Sequence, residues 1–167
     1  MIEKNAHYGS ICYNLLAMIK DLTDAQIDHL LRTQPYGRLG CGKGEDLYIV
    51  PLSYVFDGEY IYAHSKEGKK ITLMREQPRV CFQVDEIQNS NNWWSIIVWA
   101  EYEELDQEPL KSEAAGLIND RFAAFSSSQA VLPTPAGRHM TGFAEKAAQP
   151  IIFRLKILSK SGRSERS

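Results

Sequence analysis

The chain has few cysteines, and none of them form a motif. Cys12, Cys41 and Cys81 lie far apart in the 167 residues, and no Cys-x-x-Cys pair occurs. This spacing argues against a disulfide framework and against a structural zinc site, and it suits a reducing compartment. We therefore expect a cytoplasmic protein without a metal centre.

An excess of positive charge and a long apolar run are also missing. Nineteen Lys and Arg residues against 21 Asp and Glu residues give a formal net charge of −2. Without a basic surplus there is no electrostatic basis for non-specific binding to nucleic acid or to an anionic membrane. No apolar run reaches the roughly 20 residues that cross a bilayer, and Glu3 lies where a secretion signal would be cationic. We expect neither nucleic acid nor a membrane as a partner.

The composition is that of an ordinary globular domain. Hydrophobic residues make up 44% and charged residues 24% of the sequence. A chain of this length forms about one domain. We predict a single domain over residues 1–167 with its core at about 22–158, and we expect the polar tail 159–167 to fray.

Residue spacing predicts three helices and six strands. The first helix begins after the capping box Thr23-Asp24-Ala25-Gln26 and runs to about Thr33. The other helices are Gly68–Gln77 and Glu108–Phe125. The predicted strands are Tyr36–Cys41, Leu47–Phe56, Glu59–Ser65, Arg79–Glu86, Trp93–Leu105 and Ile151–Leu158.

Turn signals separate these strands into hairpins. Asp57-Gly58 is a strong two-residue hairpin signal, Gly42–Asp46 predicts a turn, and Gln88–Asn92 predicts a polar loop. Strands in hairpins, without regular strand–helix alternation, favour a mainly β (α+β) fold. We predict a small antiparallel, Greek-key-like β-barrel with helices packed outside.

The last predicted helix carries one apolar stripe, and a long loop follows it. The stripe consists of Leu110, Ala114, Leu117, Ile118, Phe122 and Phe125. Residues 126–150 are rich in Ser, Pro and Gly, which predicts a long loop. We consider this loop, with Arg138 and His139, as a lid over a binding site, with a plain surface loop as the alternative.

A glycine-rich segment lies close to a nucleotide-binding motif but lacks its decisive residue. Gly37–Gly44 has the P-loop spacing, yet Gly44 stands where a Ser or Thr hydroxyl would hold magnesium. A P-loop also has to lead into a helix, whereas Asp46–Val50 is predicted as a strand. We interpret the segment as a β-turn and reject a kinase-like function.

The segment from His64 to Lys70 is a candidate anion site. It lies where a strand ends and a short helix begins, so backbone N–H groups, a Ser hydroxyl and two ammonium groups could together hold a phosphate. Gly68 would let the backbone approach a ligand closely. The alternative is a solvated basic turn.

The remaining histidines and tryptophans carry weaker signals. The four histidines form no metal-spaced pair. The three tryptophans are expected to fill the core or an interface. Strand alternation places Ser95, Ile97 and Trp99 on one face, and that face alone could contact a flat ligand.

Several of these pieces, in one order, resemble a known superfamily. They are Tyr36-Gly37-Arg38-Leu39, the segment YIVPLSYVFDG at 48–58, Ile61-Tyr62-Ala63-His64-Ser65, Gly68-Lys69-Lys70 and Pro78-Arg79-Val80-Cys81-Phe82. Over about residues 22–105 the chain resembles the FMN-binding split-barrel superfamily that includes pyridoxamine-phosphate oxidase. Within that superfamily it is most similar to the nitroimidazole-resistance branch. The resemblance implies a split β-barrel.

The resemblance also implies a cofactor, a partner and roles for individual residues. FMN would bind at the interface of a homodimer. Ser65, Gly68, Lys69 and Lys70 match the positions around the FMN phosphate, and His64 matches a histidine near the flavin that could donate a proton. The strand beside the isoalloxazine ring would be Pro51, Leu52, Ser53 and Tyr54, and a later strand would bring Ser95 and Trp99 close to the flavin.

Two departures from the family pattern narrow the expected activity. The family's last strand usually runs into an I-T-G-K-like motif, of which only Ile157 and Lys160 are retained here. The longer C-terminal region with which pyridoxamine-phosphate oxidases hold their substrate is missing, which argues against the vitamin-forming oxidase reaction. The resemblance therefore implies an FMN-dependent oxidoreductase that reduces a small flat acceptor such as a nitroaromatic compound.

Two other hypotheses about the function stay open. The first is a non-catalytic protein that binds flavin or haem, with His64 or His139 as the axial haem ligand. The second is a split barrel that holds another flavin-like cofactor such as a deazaflavin. A deazaflavin would need room beside Lys69 and Lys70 for a longer anionic tail.

Overall fold

One antiparallel sheet of eight strands makes up most of the described part of the chain. The computed structural model describes residues 19–126 and 150–166. The strands are β1 (Ile19–Asp21), β2 (Tyr36–Lys43), β3 (Asp46–Ser53), β4 (Val55–Phe56), β5 (Tyr60–Ser65), β6 (Arg79–Asn89), β7 (Asn92–Glu104) and β8 (Ile151–Arg166). The helices are α1 (Asp24–Thr33), α2 (Lys69–Glu76) and α3 (Leu110–Ser126).

The strand order shows how the sheet is assembled. It runs β3-β2-β6-β7-β8-β5-β4, and β1 pairs with the end of β8. The long strand β8 pairs with β5 through its first residues and with β7 along almost its whole length. The predicted mainly β, α+β split-barrel fold is confirmed. No helix in the described ranges is long and apolar enough to cross a membrane.

The predicted capping box begins α1. The Thr23 N–H donates to Gln26 Oε1 over 2.9 Å, and the Gln26 N–H donates to Thr23 Oγ1 over 3.4 Å. These bonds satisfy backbone donors that a helix start leaves free. The helix buries Ile27 and Leu31 against the sheet, so the sequence prediction for this element is confirmed.

The hairpin between β4 and β5 forms as predicted, but its turn lies one residue later. The Asp57 N–H donates to the Tyr60 carbonyl, so Gly58 and Glu59 are the two central residues. Gly58 has a φ of 124°, which glycine tolerates because it has no Cβ. Asp57 Oδ1 accepts hydrogen bonds from the N–H groups of Glu59 and Tyr60, both at 2.7 Å, and this holds the turn.

Two predicted loops are much shorter than expected. β2 continues to Lys43 and β3 begins at Asp46, which leaves a two-residue turn. In the same way β6 and β7 extend to Asn89 and Asn92, although the sequence there is entirely polar. Cross-strand hydrogen bonds keep these ends in the sheet whatever their side chains are, and composition alone does not show such pairing.

The predicted frayed tail is instead the end of β8. Ser161–Arg166 pairs with β7, and Arg163–Glu165 also pairs with β1, an element that sequence analysis left unassigned. Gly162 and Glu165 are buried there. The prediction of fraying is therefore wrong, because two neighbouring strands supply the backbone hydrogen bonds that a polar sequence does not announce.

The main core lies on the inner face of the sheet. The rings of Tyr54 and Phe82 meet edge to face with their centroids 4.9 Å apart, and the Tyr54 hydroxyl donates to the Leu31 carbonyl. Burial strongly raises the pKa of the Tyr54 hydroxyl, so it stays neutral. This pair joins α1, β6 and the segment after β3 into one packed unit.

α3 covers a smaller apolar cluster beside β5 and β8. Ala114 and Ile118 are buried there with Leu105 and Ile152, and Phe122 packs against them. The predicted stripe is partly wrong, since Leu110 and Leu117 are exposed. The side chain of Phe125, and the predicted loop with Arg138 and His139, lie outside the described residues.

Candidate functional site

Two adjacent lysines with different surroundings, Lys69 and Lys70, begin α2 directly after the turn that follows β5. Lys69 Nζ donates to Asp46 Oδ1 at 2.8 Å and lies 5.3 Å from the ring centroid of Tyr48. The hydrogen bond to Asp46 raises the pKa of Lys69. Lys70, in contrast, makes no ion pair or hydrogen bond through its ammonium group with any residue of 19–126 or 150–166. The start of α2 therefore has one lysine paired with a carboxylate and one lysine without such a partner.

A cluster of ionic hydrogen bonds holds the turn between β5 and α2 in place. Arg75 of α2 donates to both carboxylate oxygens of Glu104 at 2.8 Å and to those of Glu67 at 2.9 and 3.0 Å. Glu104 also accepts from the Tyr102 hydroxyl at 2.8 Å. The bond from Arg75 lowers the pKa of Glu104. These contacts fix the turn before α2 against β7.

An apolar pocket of about 450 Å³ opens next to this turn, between the β2–β3 hairpin and strands β6 and β7. Trp99 forms part of its wall and is 46% exposed. Gly42 lies at the hairpin end, and a Cβ there would come within 2.6 Å of the Asp46 carbonyl oxygen. The lining residues are Gly40, Cys41, Gly42, Leu47, Tyr48, Ile49, Gln77, Arg79, Val80, Cys81, Trp99, Ala100 and Leu158.

Two residues that line the pocket interact with Lys69 or Lys70. Tyr48 contacts the Lys69 ammonium, and the charges of Lys70 and Lys69 both act on the Cys41 thiol. The volume lies within the roughly 300–1,000 Å³ of small-molecule sites. An apolar pocket bordered by ammonium groups suits a ligand that has a flat apolar part and an anionic end.

The surroundings of the two thiols of the pocket favour their protonated form. Burial raises the pKa of the Cys41 thiol, and the lysine charges only partly oppose this effect. Burial also raises the pKa of Cys81. Both groups are therefore neutral thiols at neutral pH, and they contribute apolar surface rather than a nucleophile.

The four residues predicted beside the flavin ring do not share one face. The side chains of Leu52 and Tyr54 are buried in the core, so only their backbone could reach a ligand. The Tyr54 N–H already donates to the Pro35 carbonyl. Pro51 is exposed and lines a separate shallow cleft with Arg38, while Ser53 is half-buried opposite Tyr36.

His64 lies away from the pocket. It is exposed on β5, whereas the next residue, Ser65, is buried and points to the opposite face. His64 pairs with Ile152 and Trp99 pairs with Ser159, which are seven residues apart on β8. At about 3.3 Å per residue, roughly 23 Å of strand separates these two positions of β8.

The remaining predicted residues are also dispersed. The Ser65 hydroxyl donates to the Lys66 carbonyl at 2.8 Å, and Gly68 is the exposed residue before α2. Ser95 accepts from Gln83 at 3.4 Å and lines a polar cleft near the end of β8. Of the predicted site residues, Trp99 alone lines the apolar pocket, and Lys69 and Lys70 border it. The other predicted residues lie elsewhere.

Sequence reasoning missed most of the pocket. Leu47, Ile49 and Leu158 are exposed apolar residues around it, and Cys41, Tyr48 and Cys81 complete its walls. A usable signal was present, since the apolar Leu47 and Ile49 lie two residues apart on β3 and therefore share one face. Only the pairing of β2 with both β3 and β6 shows that these positions meet.

Comparison with known families identifies the relationship. Residues 23–145 match the family model described as pyridoxamine 5′-phosphate oxidase. The chain belongs to this family. The resemblance predicted from the sequence is thereby confirmed, and it extends beyond the segment on which it was based.

Individual members of this fold family differ in how closely they match. A FAD-binding protein from Mesorhizobium loti is 29% identical with a TM-score of 0.69, covering 89% of this chain and 98% of that chain. A candidate 5-nitroimidazole antibiotic resistance protein from Bacteroides thetaiotaomicron has the same fold, with 14% identity, a TM-score of 0.62 and coverage of 87% and 88%.

A curated relative covers less of the chain. An uncharacterized protein of Rhizobium meliloti is 38% identical over 68 residues, which are 41% of this chain and 45% of that protein. The match thus spans less than half the length of this relative.

Proposed function

We propose that this member of the pyridoxamine 5′-phosphate oxidase family binds a flavin in the apolar pocket and passes electrons from the reduced flavin to a small flat acceptor. A nitroaromatic compound is the proposed class of acceptor. The observation that carries the proposal is the apolar pocket bordered by the Lys69 and Lys70 ammonium groups. The Mesorhizobium loti protein, which is described as FAD-binding, supports the flavin.

FMN is the proposed flavin because it has one terminal phosphate. Lys70, the unengaged cation, would hold that phosphate together with Lys69 and the backbone around Gly68. Trp99 would pack against the ring system. When bound, the flavin supplies the redox chemistry by accepting and releasing electrons. The protein's own residues anchor the phosphate, orient the ring and exclude water from the pocket.

The polar edge of the ring would meet the backbone of β3. This strand is at the edge of the sheet, so the backbone groups on its outer side have no strand partner in the described residues. Pro51 has no N–H, and the Tyr54 N–H bonds the Pro35 carbonyl. In this register the Leu52 backbone bonds Gly37 of β2, because hydrogen-bonded and non-hydrogen-bonded pairs alternate along an antiparallel ladder. The proposed donor to the ring edge is therefore the Ser53 N–H, which faces away from β2.

A homodimer would complete the site. Leu47, Ile49, Trp99 and Leu158 are exposed apolar side chains around the pocket, and a second copy would cover them. His64 and Trp99 pair with positions of β8 that are seven residues apart, so the proposed role of His64 as a proton donor requires that the partner subunit bring the two side chains together. Its imidazole would then deliver a proton to the reduced acceptor.

The first test is an absorption titration of the purified protein with FMN. We expect flavin bands that stay with the protein during gel filtration. Replacing both site lysines, Lys69→Ala with Lys70→Ala, should weaken FMN binding at least about tenfold, since two charge-assisted contacts are lost. Lys20→Ala with Lys156→Ala, two exposed lysines elsewhere, is the charge-matched control.

Unchanged FMN affinity in the site variant would show that the phosphate lies elsewhere. A protein that binds no flavin would overturn the proposal. Haem would then be added, and a Soret band lost in His64→Ala would identify that histidine as an axial ligand.

The second candidate function is a flavin-binding protein without turnover. The description of the Mesorhizobium loti protein, which names binding only, favours it. The two functions differ in the rate at which the reduced, protein-bound flavin is reoxidised under anaerobic conditions by a nitroaromatic acceptor. Acceleration over free reduced FMN supports the oxidoreductase, and an equal or slower rate supports the binder.

A further inference from the structure

The positive charge of Lys69 is already paired with a carboxylate of its own chain. Its ammonium group lies 2.8 Å from Asp46 Oδ1, and about half of each side chain is exposed. Asp46 is the first residue of β3 and follows the turn that closes the pocket's hairpin. The carboxylate therefore stands where the anionic end of a ligand would approach Lys69.

Exposed ion pairs of this kind are weak and can be broken by a competing anion. A phosphate monoester carries about −1.5 to −2 charges at neutral pH, so it would either displace Asp46 from Lys69 or bind beside a like charge. Either event reduces the affinity for a phosphate-bearing ligand. Neither affects a ligand whose chain ends in a hydroxyl.

We propose that Asp46 is a specificity-determining residue that sets how strongly the site distinguishes FMN from riboflavin. The inference rests on the proposed flavin site. Asp46 forms an ion pair with Lys69, whereas Lys70 is free to bind the phosphate. The affinity for the phosphate is therefore lower than two unpaired lysines would give. The Tyr48 ring, 5.3 Å from the Lys69 ammonium, keeps that lysine near the pocket when the ion pair opens.

The experiment measures the dissociation constants of FMN and riboflavin for the full chain and for Asp46→Asn. We expect FMN to bind about threefold to tenfold more tightly to the variant, the size of one lost surface charge contact, and riboflavin to change less than about twofold. The ratio of the two constants is the readout, because a general change in folding or in the pocket would move both ligands together.

Glu45→Gln is the matched control. Glu45 lies next to Asp46, is exposed and makes no ion pair within the described residues, so its variant removes the same charge without touching Lys69. An equal tightening of FMN binding in Glu45→Gln and Asp46→Asn would overturn the proposal, because net charge alone would then explain the effect.

A double-mutant cycle tests whether Asp46 acts through Lys69. In a Lys69→Gln background the Asp46→Asn effect on FMN should disappear, and an effect that persists would overturn the assignment. If FMN and riboflavin bind the parent but their ratio does not change in Asp46→Asn, this inference alone fails. If neither flavin binds the parent, the proposed function fails and the inference with it.

Discussion

Strands β6 and β7 bury their inner face completely, whereas apolar side chains on and beside their outer face stay exposed. On the inner face Phe82, Ile96 and Val98 are fully buried. On the outer face Trp99 is half exposed, and the nearby Leu47 and Ile49 of β3 are 80% and 72% exposed. The inner face stabilises the chain by itself, whereas the outer face leaves apolar area for a ligand or a second subunit to cover.

Removing a ring from the inner face should have the largest effect. Phe82→Ala leaves a cavity beside Tyr54, and we expect the free energy of unfolding to fall by about 3–5 kcal/mol. Chemical denaturation measures this change. The control is Ile87→Ala, at an exposed apolar position on the same strand, with an expected change within about 0.5 kcal/mol. Similar losses in both variants would contradict the distinction between the two faces.

Changing the outer face should affect assembly rather than folding. Leu47→Ser with Ile49→Ser removes exposed apolar area, so we expect at least about a tenfold rise in the dimer dissociation constant, or about 1.4 kcal/mol. The unfolding midpoint at subunit concentrations below dimerisation should stay the same. Analytical ultracentrifugation measures the dissociation constant, with Leu117→Ser, exposed on α3, as the control. A parent protein that is monomeric at all concentrations would contradict the proposed dimer.

The polar cluster that joins α2 to β7 should give the smallest effect, and a pH dependence identifies it. Because Arg75 lowers the pKa of folded Glu104, this contribution to stability is present above the unfolded value of about 4.3 and is lost as the pH falls through the lower folded value. Glu104→Gln should therefore lower the melting temperature at pH 7 and change it less at pH 3.

Glu101→Gln is the control for this cluster, because Glu101 lies on the same strand, is exposed and has no ion pair in the described ranges. An equal change of the melting temperature for Glu104→Gln at both pH values would show that the ionised carboxylate does not act through Arg75.

Much of the fold could be predicted from local signals. The α1 capping box, the Asp57-Gly58 hairpin and the short helix after Ser65 depend on neighbours within a few residues, and all three are present. The end of β8 could not be predicted, because it is held as a strand by hydrogen bonds to β7 and β1 and not by any pattern in its own polar sequence. The predicted ends of strands were wrong where strands distant in the sequence supplied the hydrogen bonds.

In the candidate site, too, the local features could be predicted and the long-range contacts could not. Lys69 and Lys70 are contiguous in the sequence, so their position at the start of a short helix after a strand could be predicted directly. The pocket beside it combines residues from β2, β3, β6, β7 and β8, and no local pattern brings Cys81 or Leu158 to Tyr48. The resemblance implied that His64 and Trp99 both lie near the flavin, yet they face different regions of the chain.

The sequence by itself determined most of the helices and strands, the family resemblance and the position of the lysine pair, because periodicity, caps and short motifs act over a few residues. The tertiary structure alone decided which apolar residues form the core and which stay exposed around the pocket. It also decided that Asp46 engages Lys69 and that nothing in the described ranges engages Lys70. Strand pairing sets these contacts, since it joins positions that are far apart along the chain and fixes the face on which each side chain lies.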